Sequence, residues 1–154
     1  MMLELILLVG FCALGVLIGL ITGLLPGLHV NNVALILLSL SSTIVAMSSP
    51  LFAYGISSQF ILVLISGLII SVSLSHAFHQ NLPSTFIGAP NEETALSVLP
   101  AHRLLLRGEG YKAVCLAVLG CIGALLLCLA VFIPLRFVLG PPLNIYALVR
   151  EIMI

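Results

Sequence analysis

Two polar islands hold the residues that could do chemistry in this chain. The larger is Pro83-Ser84-Thr85-Phe86-Ile87-Gly88-Ala89-Pro90-Asn91-Glu92-Glu93-Thr94-Ala95-Leu96. The smaller is Gly23-Leu24-Leu25-Pro26-Gly27-Leu28-His29-Val30-Asn31-Asn32. Each interrupts apolar sequence with Pro and Gly, which stop helices and free backbone N–H groups from intrahelical pairing. Free N–H groups, hydroxyls and amides suit an anion. The candidate binding residues are Pro26, Gly27, His29, Asn31 and Asn32 from the first break. Ser84, Thr85, Gly88, Pro90 and Asn91 are those from the second. Polar-lined breaks of this kind point to a transporter site rather than a membrane anchor.

Each candidate has a plainer reading beside the functional one. His29, Asn31 and Asn32 would also sit at no cost in a wet loop between two spans. Glu92 and Glu93 could hold a coupling cation or a proton. Behind Asn91 as N-cap, however, they fit the first turn of a helix, where the dipole favours carboxylates. His76 and His79 are too weak a pattern for a metal site and read as interfacial histidines. Ser84 and Thr85 could be binding hydroxyls or capping ones. No GxSxG, HExxH or P-loop occurs, so neither an enzyme nor a cofactor is expected, and an intramembrane hydrolase using His and Glu is the weakest alternative.

The elements that must position these residues are membrane spans. The chain is 62% hydrophobic and only 6% charged, with zero net charge, against about a quarter charged residues in a soluble domain. Nucleic acid is excluded as a partner for want of a basic patch. The four cysteines lie in apolar runs as small packing residues. A hydrocarbon core of about 30 Å takes about 20 helical residues. The apolar runs predict four spans, at about Leu3–Leu25, Leu28–Met47, Leu51–Ala77 and Ala113–Leu135, in an all-α, multi-pass protein of the cell membrane. Gly55 and Ser57-Ser58 are placed to split the start of the third. Residues 78–112 form a polar connector, in which Pro100 opens an interfacial helix that Gly108 closes. Leu143 to Ile154 is apolar but too short to span.

Small residues recur at helical spacing: Gly15, Gly19, Gly23 and Gly27 in the first span, Gly67, Ser71 and Ser75 in the third, Ala113, Ala117 and Cys121 in the fourth. Such stripes let helices approach closely where no hydrophobic drive acts between them. His102, Arg103, Arg107 and Lys112 form the basic loop, which the positive-inside rule puts in the cytoplasm, with the N-terminus outside.

The order of these features carries a resemblance. A glycine-striped first span leads into Gly23-Leu24-Leu25-Pro26-Gly27-Leu28-His29-Val30-Asn31. Pro83-Ser84-Thr85-Phe86-Ile87-Gly88-Ala89-Pro90, Glu93-Thr94-Ala95-Leu96 and Gly108-Glu109-Gly110-Tyr111-Lys112-Ala113 follow. The chain resembles the N-terminal part of the large permease subunit of tripartite tricarboxylate transporters, most of all the archaeal branch. It departs from the bacterial pattern at His29-Val30-Asn31-Asn32 and at Ser97-Val98-Leu99. The resemblance implies residues 1–154 as the N-terminal portion of a longer permease domain. It also implies an organic-anion substrate, alternating access, and Na⁺ or H⁺ as coupling ion. A small membrane subunit and an extracytoplasmic binding protein are the implied partners, besides the lipid bilayer. The alternative is a membrane scaffold or assembly protein whose glycine stripes serve helix association alone.

Overall fold

The computed structural model describes residues 2–89, 92–141 and 143–152. Backbone groups inside a bilayer must pair within their own segment, and among the described residues every regular element is a helix. The order is α1 (Met2–Leu24), α2 (Val30–Ser39), α3 (Ser41–Met47), α4 (Ser49–Phe52), α5 (Ser58–His79), α6 (Asn81–Phe86), α7 (Val98–Leu106), α8 (Gly110–Leu139) and α9 (Ile145–Ile152). Three stretches are long and apolar enough to cross a membrane, Met2–Leu24, Ser58–Phe86 and Gly110–Leu139, and α2 with α3 makes a fourth bent by 50°. The chain is therefore a multi-pass membrane protein.

It divides into two compact units, Met1–Cys115 and Leu116–Ile154. In the first, the glycine stripe of α1 lies directly on α5. A Cβ built on Gly15 would stand 2.7 Å from the Leu68 carbonyl oxygen and 2.7 Å from Ser71 Cβ. On Gly23 it would stand 2.8 Å from His79 Cβ, and on Gly19 it would collide with the Val72 carbonyl oxygen. Only glycine tolerates that approach. Partners on α5 advance with position on α1, so the two helices run parallel. Two parallel spans in one chain require a return crossing between them, and α2–α3 supplies it. Ser71 and Ser75 face Gly15 and Gly19, so the second small-residue stripe meets the first, and Gly67 faces Leu8 and Cys12.

The apolar core of this unit gathers around the start of α5. Ile56, Ile61, Leu64 and Ile65 are buried there, against Leu7, Leu8 and Phe11 of α1 and Ile44 and Val45 of α3. The bend between α2 and α3 has a local cause. Ser39 Oγ donates to the Leu35 carbonyl at 2.8 Å and Ser41 Oγ to the Leu38 carbonyl at 2.7 Å, and such back-bonding competes with the helix ladder and bends it.

Several boundaries differ from the sequence reading. The third span begins only at Ser58, because Gly55 takes φ +80° and Ser57 caps the helix by accepting from Phe60 N at 3.2 Å. At its other end α5 runs almost unbroken into α6, since Gln80 N bonds to the His76 carbonyl and Ser84 N to the Gln80 carbonyl. Glu92 and Glu93 lie in a turn rather than a first helical turn, and regular helix resumes at Val98. The interfacial helix ends as expected: Gly108 at φ +79° lets Glu109 N reach the Leu104 carbonyl and Gly108 N the Leu105 carbonyl, both at 2.9 Å. Gly110 then packs on Leu105 and Phe86.

The second unit holds most of α8 and all of α9. α8 continues through Pro134 to Leu139, beyond the expected end at Leu135. Asn144 precedes α9 with φ 47°, a left-handed conformation that Asn accepts more readily than most residues.

Candidate functional site

The buried face of α5 changes character along its length. Ile61, Leu64, Ile65, Leu68 and Val72 are apolar; one turn on, the same face presents His76, then Gln80. Opposite them, the last turn of α1 buries Thr22. The Thr22 hydroxyl donates to the Gly19 carbonyl at 3.2 Å, so its oxygen accepts from His76 Nδ1 at 3.1 Å. That network assigns the Nδ1–H tautomer to His76 and leaves Nε2 as its basic nitrogen. His76 is 2% exposed.

The two breaks meet at this polar end. A cavity of about 70 Å³ is lined by Leu25, Pro26, Gly27, Leu28 and His29 from the first break and by Pro83 and Ala89 from the second. Thr22, His76 and Gln80 complete its wall. Its volume is well below the roughly 300–1,000 Å³ that encloses a drug-sized ligand, so it suits one carboxylate group rather than a whole polyacid. Gly27 takes φ +89°, turning the chain out of α1 so that His29 can cap α2. His29 Nδ1 accepts from Asn31 N at 3.5 Å, a long bond. Gln80 Nε2 donates to Glu93 Oε2 at 2.7 Å, which ties the turn at 92–97 to the α5–α6 junction. Among the described residues neither Lys nor Arg lines the cavity.

Of the residues expected to bind, Pro26, Gly27 and His29 line the cavity. Asn31 and Asn32 lie exposed on the first turn of α2, outside that lining. Ser84 and Thr85 are 3% and 2% exposed within α6 and also fall outside it. Because α6 follows α5 with scarcely a break, no open helix N-terminus forms at Pro83. Gly88, at φ +69°, faces the His102 ring, whose Cε1 would stand 3.1 Å from a Cβ there. Pro90 and Asn91 lie outside the described residues. Thr22, His76 and Gln80 escaped the sequence reading as binding residues. The signal was present: Val72, His76 and Gln80 are spaced four apart, so one helix face carries the apolar stripe into polar residues.

Among the described residues no group of three or more His, Cys, Asp or Glu side chains is placed to hold a metal ion. The second unit has a wider hollow of about 380 Å³ walled mainly by Phe132, Leu135, Leu139 and Tyr146. It is larger but converges few polar groups, and the smaller cavity is where the chemistry gathers.

Comparison with known proteins places the chain in a family. The family model described as the tripartite tricarboxylate transporter TctA family matches residues 9–153. An uncharacterized protein of Methanocaldococcus jannaschii is 42% identical over 110 residues, which make up 71% of this chain and 24% of that relative. The chain thus spans about a quarter of the length of the curated relative it matches. No solved structure matches it.

Proposed function

The chain belongs to the tripartite tricarboxylate transporter TctA family, and from that premise we propose that it contributes an anion-binding half-site to a secondary carboxylate transporter. Membership makes it a component of a membrane transporter. The observation that carries the finer reading is the convergence of both helix breaks on one polar cavity. A scaffold needs the glycine stripe of α1, but it has no use for a buried Thr22–His76 hydrogen bond at the end of that stripe.

In this reading one carboxylate of the substrate enters between Pro26-Gly27 and Pro83. His29 and Gln80 offer N–H donors there, and Thr22 and the N-terminus of α2 polarise the pocket. The remainder of the anion reaches beyond the cavity, which is too small to hold it. Alternating access exposes the site to each side of the membrane in turn, driven by Na⁺ or H⁺. A small membrane subunit and an extracytoplasmic binding protein are the partners this family reading supplies. The chain acts by binding and translocation, with no catalytic step.

Uptake of radiolabelled citrate into cells or vesicles carrying the protein, with expression checked by blot, tests the proposal. Gln80→Leu, which keeps size and removes both polar atoms, is expected to reduce uptake at least tenfold with membrane insertion unchanged. Uptake equal to wild type would move the site away from this cavity.

A further inference from the structure

His76 is an ionisable residue 2% exposed inside a span, and such residues need a reason to be there. Its surroundings hold few charges. From α1 it meets Thr22, which does not titrate. His29, the cap of α2, and Glu93, in the turn at 92–97, are the titratable groups that act on it from other elements. α6 brings none, since its residues are Asn81, Leu82, Pro83, Ser84, Thr85 and Phe86. On its own helix His79 Nδ1 is held by the Ser75 carbonyl at 2.6 Å.

Among the described residues an anion entering the cavity therefore meets no fixed positive charge, because no Lys or Arg lines it. Burying a carboxylate without a countercharge is costly, and a histidine beside it can supply one by taking up a proton. Resting on the half-site reading above, we propose that His76 is the proton-binding residue of this site and that anion and proton bind there together. His76 keeps Nδ1–H on Thr22 and gains the proton at Nε2, so the neutral imidazole, one proton and one carboxylate form an imidazolium–carboxylate pair. A cavity of about 70 Å³ admits one carboxylate group, and one countercharge balances it. The uptake is accordingly one proton per anion, and the proton is the coupling ion at this site.

The test is calorimetric titration of citrate into the purified chain in lipid nanodiscs. Buffers of different ionisation enthalpy report proton uptake, at pH 7.5–8.5, where citrate is itself ionised. Uptake of about one proton per citrate is expected, with affinity falling about tenfold per pH unit, the slope for one linked proton. His76→Gln should abolish uptake, while His102→Gln, at a histidine outside the cavity lining, should keep it. On the unaltered protein, histidine nitrogen NMR should show one buried imidazole becoming doubly protonated when citrate is added, which does not depend on how the variants fold. Citrate binding with no proton uptake, or with uptake unchanged in His76→Gln, overturns the assignment. No citrate binding at any pH overturns the half-site reading itself, and this inference with it.

Discussion

Gly19 of α1 and Ser75 of α5 lie against each other so closely that a Cβ on the glycine would stand 2.6 Å from the serine Cβ. The same contact carries a hydrogen bond, Ser75 Oγ to the Val16 carbonyl at 2.8 Å. Packing and polar pairing thus fall at one crossing point, which matters in lipid because the hydrophobic effect contributes little between helices there. A side chain at position 19 has to push against the Val72 backbone carbonyl, which cannot rotate away. Gly19→Leu should therefore separate α1 from α5, with loss of the folded protein in detergent extracts, and Gly19→Ala should cost about 1–3 kcal/mol, the usual scale of overpacking. Thermal stability by size-exclusion chromatography after heating measures both.

Ser75→Ala isolates the polar part of that contact. It removes the donor to Val16 and leaves the glycine crossing intact, so the loss should be modest, about 0.6 kcal/mol and no more than roughly 1.7, the range measured for interhelical hydrogen bonds in membranes. A drop as large as that of Gly19→Leu would mean the serine organises more than its own bond.

Much of this architecture was legible in the residues. Long apolar runs gave the spans, since hydrocarbon leaves the backbone little choice but helix, and small residues at Gly15, Gly19 and Gly23 marked the contact face of α1. The expectation that the helix would be interrupted at Pro83 did not hold. Pro83 sits within the first turn of a helix that follows α5 almost directly, where its missing N–H costs little. Periodicity could not separate a break from a continuation there. The acidic pair was misplaced for a related reason: capping logic at Asn91 allowed a helix at Glu92, but Glu93 is engaged by Gln80 and the chain turns. His76 read with His79 as an interfacial histidine, and its place in a four-residue spacing across an apolar helix has a meaning that depends on Thr22, more than fifty residues away.

The cavity and the exposed turn of α2 should separate by mutation. Asn31 is exposed and outside the lining, whereas Gln80 is buried within it. Citrate affinity should thus fall at least tenfold in Gln80→Leu and change less than twofold in Asn31→Leu, read as binding to nanodisc-embedded protein. The reverse order would place the anion on the outer turn of α2.

Orientation gives the last expectation. Because α1 and α5 run parallel, the N-terminal end of α1 and the Gly55 turn before α5 share one membrane face. The Pro26-Gly27 break belongs to the opposite face, together with the described residues of 87–89 and 92–109. That segment stays there because α7 packs on α6 and Gly110 on Phe86. It carries Arg103 and Arg107, with Lys112 just inside α8, where Lys112 pairs with Glu109 at 3.2 Å. Basic residues beside a span end are retained in the cytoplasm, so this face and the cavity near it should be cytoplasmic, and the N-terminal end of α1 external. Single cysteines introduced into a variant lacking Cys12, Cys115, Cys121 and Cys128 test this in whole cells with a membrane-impermeant maleimide. A cysteine at Gly55 should label from outside, and one at Arg107 only after the cells are opened. Labelling of both from the same side would mean that α5 does not carry the chain across the membrane, since only an odd number of crossings between Gly55 and Arg107 puts them on opposite faces. Labelling of Arg107 alone from outside would keep the fold and invert its orientation, and the cavity would then be presented to the exterior.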